Sequence, residues 1–405
     1  MLSSFRLPFR RANRAAGSSA TPLNTTSGQT KAAIRPRAGL EMLLSTGAGR
    51  GTGRSYAALS RAGFLGNPVA HRAVRLVSEA AAAVPLLLYQ GLPQDGAGEL
   101  SEHPALALLA RPNGRATGAD FFEMLYGHLL LSGNAYLEPL WLGGRLMELH
   151  LLRPDRVSVV EGADGWPVAY DYRAAGVTRR LAAEGEPQPI LHFKLFHPLD
   201  DISGYAPLAS AHNALDLHNA AATWNKALLD NSARPSGALV YQPKEGGNLP
   251  PEQYQRLKEE LEQGYSGPMQ AGRPMLLEGG LDWKAMSLTP RDMDFTDARN
   301  GAARDIALSL GVPPMLLGIP GDNTYANYQE ANRAFYRLTV LPLIRRTAAS
   351  LSGFLSDGFG EVLCLKPDLD QVEGLSSERD ALWSRVGSAS FLTDEEKRQA
   401  VGYDA

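Results

Sequence analysis

Two groups of side chains along this chain could do chemistry. His192, His197, Asp200 and Asp201 lie close together, and His212, Asp216 and His218 follow. Imidazole nitrogens and carboxylate oxygens form a metal site when they converge on one point. On a helix His212 and Asp216 share a face, but His218 is turned well away from both. Turn-forming acids and helix-surface histidines are therefore the plainer reading. Asp292, Asp294 and Asp297 could supply carboxylates for magnesium-dependent nuclease chemistry. They also lie just before a helix, where the dipole favours acids, so capping is preferred. Gly47 to Ser55 hints at a phosphate loop but lacks the Walker spacing and any Lys. There is no Gly-x-Ser-x-Gly elbow and no His-Glu-x-x-His pair. Cys364, the single cysteine, excludes an internal disulfide and reads as a small core residue of a strand. No catalytic residue, metal or cofactor is assigned.

The elements that would position such groups point to an α+β chain with more than one sub-domain at 405 residues. The net charge is −3, but residues 1–60 hold nine Lys or Arg against the single acid Glu41. The arm thus carries about +8 and the remainder about −11, which does not suggest a globally basic nucleic-acid binder. Residues 1–60 lack a sustained apolar period and read as a basic, disordered arm. Taken alone, the arm could pass for a transit peptide; a mobile arm of an assembly protein is preferred. No apolar run approaches a membrane span, so no membrane partner is expected and the protein should be soluble in the cytoplasm when made.

Asn67-Pro68 opens a helix that stops at Pro85, and Leu86–Tyr89 reads as a strand. A short helical piece spans His103–Ala110, and Thr117 with Asp120 forms a capping box for a helix carrying Phe121, Phe122, Leu125, Leu129 and Leu130. Gly143-Gly144 joins strands Ala135–Leu142 and Arg145–Leu152. Further strands are expected at Val157–Val160, Val168–Tyr172 and Ile190–Phe193. A helix follows from about Pro207 to Asn231. Gly237–Gln242, Pro251–Tyr265 and Pro274–Leu277 read as strand, helix and strand. A helix from Phe295 carries Ile306, Leu308 and Leu310 up to Gly311, which Val312-Pro313-Pro314 cannot continue. Another runs from Tyr325 towards Leu355 with Phe335, Leu338, Leu341, Ile344, Ala348, Leu351 and Leu355 on one buried face. Val362–Leu365 is a strand, and Thr393 caps a last helix ending at Gly402.

Between these two helices the loop is almost neutral. From Asp305 to Glu330 the only intervening charge is Asp322. Phosphate binding needs Lys or Arg, so this loop could face a nucleic-acid backbone and let it slide, but could not grip it. An ordinary solvated loop is the alternative.

Several segments resemble the portal proteins of tailed phages with Hong Kong 97-type capsids. They are His103-Pro104 through Arg111-Pro112-Asn113, Leu131-Ser132-Gly133-Asn134-Ala135-Tyr136, Asp201 to Leu208, Asn231 to Gly237, Gly311 to Gly318 and Asn323-Thr324-Tyr325-Ala326-Asn327. Pro290 to Leu343 is especially similar to portals of gene transfer agents. Ser132 departs from the family's frequent Gly, and the arm 1–60 has no clear counterpart. The resemblance implies a portal fold with an α/β wing (61–206), stem helices (207–235 and 289–317) and a β-α-β clip (236–288). It further implies a tunnel loop (318–327), a long wing helix (328–357) kinked at Pro342, and a C-terminal wing or crown segment (358–405). It implies a ring of about twelve copies at one vertex of a virion or phage-like particle, assembled in the bacterial cytoplasm. Double-stranded DNA would pass without sequence specificity along Ile319, Pro320, Gly321, Asp322, Asn323, Thr324 and Tyr325. Tyr241, Gln242, Pro243, Lys244, Tyr254 and Tyr265 of the clip would meet the terminase large subunit, the head–tail adaptor and neighbouring copies. The major capsid protein would be a further partner, and ATP hydrolysis would belong to the terminase. Other readings are a different capsid or adaptor subunit, and a metal-dependent nuclease built on the three aspartates.

Overall fold

The computed structural model describes residues 55–91, 98–230, 237–241, 252, 255–256, 259, 281–285, 295–321 and 325–402. It begins earlier than expected. Residues 1–60 read as a disordered arm, yet α1 (Tyr56–Leu59) and a π-turn (Ser60–Phe64) are formed, and Leu59 is fully buried. Asn67 then starts α2 (Pro68–Ala83), its Oδ1 accepting from the Val69 and Ala70 N–H groups at 3.0 Å. Pro occupies the first turn, where its missing N–H costs nothing. Val84 is already extended, as a residue before Pro85 should be.

The antiparallel β1 (Leu86–Gln90) and β2 (Gly98–Glu99) lead to α3 (Pro104–Ala110) and α4 (Gly118–Ser132). The Thr117–Asp120 capping box forms at the start of α4, and Gly133 ends it in the left-handed conformation. The apolar faces of α2 and α4 pack together, burying Ala73, Val77, Phe121, Leu125, Tyr126 and Leu129. Truncating Phe121, Leu125, Tyr126 or Leu129 to Ala should cost about 2–5 kcal/mol. β3 (Asn134–Leu142) and β4 (Arg145–Leu152) form the expected hairpin, with both turn glycines at positive φ.

β5 (Val157–Glu161) and β6 (Pro167–Ala174) continue into β7 (Val177–Ala182), which patterning did not indicate. The β6–β7 turn is Ala175-Gly176, with φ of 50° at Ala175, a backbone that alanine seldom adopts. β7 is almost wholly exposed, so it shows no alternation of burial. β8 (Leu191–Lys194) adds to β3, and every described sheet is antiparallel.

The helix expected from Pro207 is broken. α5 (Pro207–Ser210) ends at Ala211, whose N–H bonds back to the Leu208 carbonyl, and α6 (His212–Asp230) begins anew. β9 (Gly237–Tyr241) pairs with β10 (Leu281–Ala285). That second strand lies beyond the expected Pro274–Leu277, which falls outside the described residues. The expected helix Pro251–Tyr265 is described only at 252, 255, 256 and 259, all helical. α7 (Phe295–Ser309) packs along α6.

After α8 (Tyr325–Phe335) comes a π-turn (Tyr336–Val340) and then α9 (Leu341–Phe359). Pro342, where a kink was expected, has no N–H to donate, and the helix takes a π-turn just before it. Leu341 N–H reaches the Tyr336 carbonyl, the wider π spacing, and Pro342 sits in the first turn of α9. The extra residue rotates the face: Val340 is fully buried, while Leu338, expected inside, is 76 % exposed. α9 then buries Ile344, Ala348, Leu351 and Leu355 as expected. β11 (Leu363–Pro367) pairs with β1 on one side; on the other, its Leu363 and Leu365 N–H groups donate to Ser356 and Ser352 of α9. An edge strand is thereby covered. α10 (Ser376–Ser388), also unanticipated, precedes α11 (Asp394–Val401), whose Thr393–Glu396 capping box forms as expected.

Candidate functional site

The histidines and acids that could have gathered a metal are dispersed and engaged elsewhere. His192 Nε2–H donates to Asn134 Oδ1 (2.9 Å), and the Tyr170 hydroxyl donates to its Nδ1 (3.4 Å). Its ring stacks on Tyr136, and burial followed by the nearby Lys194 charge pushes its pKa down to about 4. The Asp200 carboxylate accepts the Ser203 and Ile202 N–H groups, which lowers its pKa; the Asp201 carbonyl accepts from Lys194. His197 Nδ1 accepts the Leu199 N–H, and His212 Nδ1 lies 3.1 Å from the Ala209 carbonyl. His218 is buried against Asn67, whose Nδ2 donates to His218 Nδ1 (3.0 Å) and Asn219 Oδ1 (2.8 Å). Among the described residues no three His, Cys, Asp or Glu side chains could hold a metal together. Asp297 occupies the first turn of α7, and Asp292 and Asp294 lie outside the described residues.

The conspicuous motifs meet in space as staples of the backbone. Ser132-Gly133-Asn134 faces Ser203-Gly204-Tyr205. Gly204 N–H donates to Asn134 Oδ1 (2.7 Å), and Asn134 Nδ2 returns bonds to the Ser132 (3.0 Å) and Gly204 (3.2 Å) carbonyls. A Cβ on Gly204 would meet the Gly133 carbonyl oxygen and come within 2.7 Å of Leu195 N. Only glycine permits this approach. Arg111-Pro112-Asn113 does similar work: Leu149 N–H donates to the Pro112 carbonyl (2.7 Å), and Asn113 Nδ2 to the Leu149 carbonyl (2.9 Å).

The neutral loop after α7 has a firm root. Gly311 takes φ 67°, and its carbonyl accepts the Thr339 hydroxyl at 2.7 Å. A short 3-10 turn, Pro314–Leu317, ends at Gly318, also left-handed. Ile319, expected to face DNA, is 6 % exposed and packs on Ala303 and Ala307 of α7. It anchors the loop on that helix. Pro320 and Gly321 are exposed; Asp322, Asn323 and Thr324 lie outside the described residues, and Tyr325 opens α8. Arg304 donates to the Pro320 carbonyl. Counting charges along the loop missed this cation, which α7 brings to it from outside the segment. Of the other candidates, Tyr241 ends β9 opposite Leu281. Gln242, Pro243, Lys244, Tyr254 and Tyr265 fall outside the described residues.

The family model for the phage portal protein matches residues 68–402. The chain is 53 % identical to a chain in the virion of a native gene transfer agent particle, covering 90 % of this chain and 98 % of that one, with TM-score 0.68. A structure of the neck of the native particle, computed with C12 symmetry, contains a chain 53 % identical over 89 % of this one and 98 % of its own length, also with TM-score 0.68. The portal protein of Enterobacteria phage HK97 is 26 % identical over 336 residues, covering 81 % of this chain and 76 % of that protein. The chain belongs to the phage portal protein family.

Proposed function

We propose that this chain is the portal subunit of a phage-like particle. About twelve copies form the ring at one capsid vertex through which double-stranded DNA enters and leaves. The observation that carries this reading is the 53 % identity to the gene transfer agent neck chain over 98 % of that chain's length. In this reading 207–235 and 289–317 form the stem, and their described helices α6 and α7 pack along each other. The clip is 236–288, which contains the paired β9 and β10. Residues 318–327 form the tunnel loop, and 328–357 the helix that leads from it into the wing.

The chain itself does no chemistry in this reading. The terminase large subunit hydrolyses ATP while docked on the clip, and a head–tail adaptor replaces it once packaging ends. The major capsid protein surrounds the wing. A channel wall must let phosphates pass, and the single loop charge, Asp322, repels them mildly. Arg304 is held against the Pro320 carbonyl at the loop root. Depleting the chain from producing cells should abolish nuclease-protected DNA in the particles. Protected DNA at the undepleted level would refute the reading. Asp322→Lys tests the loop's part: it should slow packaging by creating a phosphate trap, and an unchanged rate would refute that part alone.

A further inference from the structure

Where the helix α7, the loop root and the long helix meet, two leucines of the described residues stand in water, one of them turned outward by a break in the helical period. Leu338 is 76 % exposed and Leu308 is 77 % exposed. A continuous α-helix would put Leu338 on the buried face with Phe335 and Leu341, three residues to either side. The π-turn Tyr336–Val340 turns it outward and buries Val340 in its place. Such turns recur at functional sites. A chain of hydrogen bonds ties the two leucines to one junction. The Leu308 carbonyl accepts the Gly311 N–H (3.0 Å), and the Gly311 carbonyl accepts the hydroxyl of Thr339, the neighbour of Leu338. Arg304 and Asp305, one turn before Leu308, and Arg337 beside Leu338 are exposed and supply a polar rim.

We propose that Leu308 and Leu338 form a contact patch covered by a neighbouring copy of this chain. This rests on the ring reading above. In a closed head-to-tail ring every subunit shows two unlike faces, so an apolar patch on one copy meets a different surface of the next. Twelvefold symmetry in the neck of the similar particle makes a second copy the fitting occupant. Nucleic acid does not fit, because a phosphate backbone gains nothing from leucine.

The test is photo-crosslinking in the full-length protein. A benzophenone amino acid replaces Leu338 in one variant and Phe391, 84 % exposed and far along the chain, in another. Wild-type protein is weighed in parallel by mass photometry. Irradiated Leu338 variant should give a covalent ladder in steps of 43.6 kDa, with about ten times the yield at Phe391. Leu338→Asp should lower ring yield about tenfold with an unchanged circular-dichroism melt. If wild type forms rings but position 338 captures DNA, another protein or nothing, the patch is wrong. A ring yield for Leu338→Asp equal to wild type overturns it equally. If wild type never forms a ring, the ring reading fails first and the patch falls with it.

Discussion

The Gly133–Gly204 staple and the Gly311–Thr339 junction use the same local device, a glycine pressed against another segment, for different ends. At the staple everything is satisfied inward. Asn134 fills its amide bonds, His192 takes the remaining position on Asn134 Oδ1, and Tyr136 covers the ring. At the junction, anchoring Gly311 to Thr339 leaves Leu308 and Leu338 in solvent. The first region is complete within one chain. The second leaves apolar surface in water, which the proposed neighbouring copy would cover.

That contrast can be broken by substitutions, beginning where the effect is largest. Gly204→Ala forces a methyl group onto the Gly133 carbonyl and should cost about 4 kcal/mol, read as a lowered urea midpoint or loss of soluble protein. A shift below about 1 kcal/mol would mean that the backbones can part.

Acid should strike the same region. His128 and His192 are both held near pKa 4, chiefly by burial. The unfolded chain takes up protons near pH 6.5, and these folded histidines take them up only near pH 4. Stability is therefore full above about pH 6.5 and falls as pH drops towards 4, by on the order of 3 kcal/mol per histidine. Urea midpoints across that window measure it, and His192→Gln should flatten the His192 share of the slope.

Gly311→Ala meets both a positive φ and the Thr339 side chain, 2.5 Å from the new methyl. It should cost about 2 kcal/mol, with Thr339→Val costing about 1 kcal/mol through the lost hydrogen bond. The smallest effect is the most diagnostic. Leu338→Ser should change monomer stability by less than about 0.5 kcal/mol, while assembly suffers. A loss above about 2 kcal/mol in the monomer would place Leu338 in the core and erase the contrast.

Most of the packed body was legible from the chain alone, because caps and periods are local. Asn67-Pro68, Thr117–Asp120, Gly143-Gly144 and Thr393–Glu396 each sit where their chemistry demands. β7 escaped because an Ala-Gly turn carries little signal and the strand buries almost nothing. The exposure of Leu338 was illegible, since a period of 3.6 presumes an uninterrupted α-helix and the π-turn breaks it. At the candidate site, the neutral loop was visible as a segment. Ile319 turned out to be its anchor, and the nearest described cation came from a different element. Neither Arg304 reaching Pro320 nor Thr339 reaching Gly311 follows from spacing, because both depend on how α7 meets the helix after the loop.

The central claim, that this portal-family chain works as a ring, is tested most directly by mass photometry of the purified full-length protein, imaged beside it by electron microscopy. The account predicts a closed assembly near twelve times 43.6 kDa, about 520 kDa, with an open axial channel. Monomers at micromolar concentration, or an assembly with no channel along its axis, would contradict it.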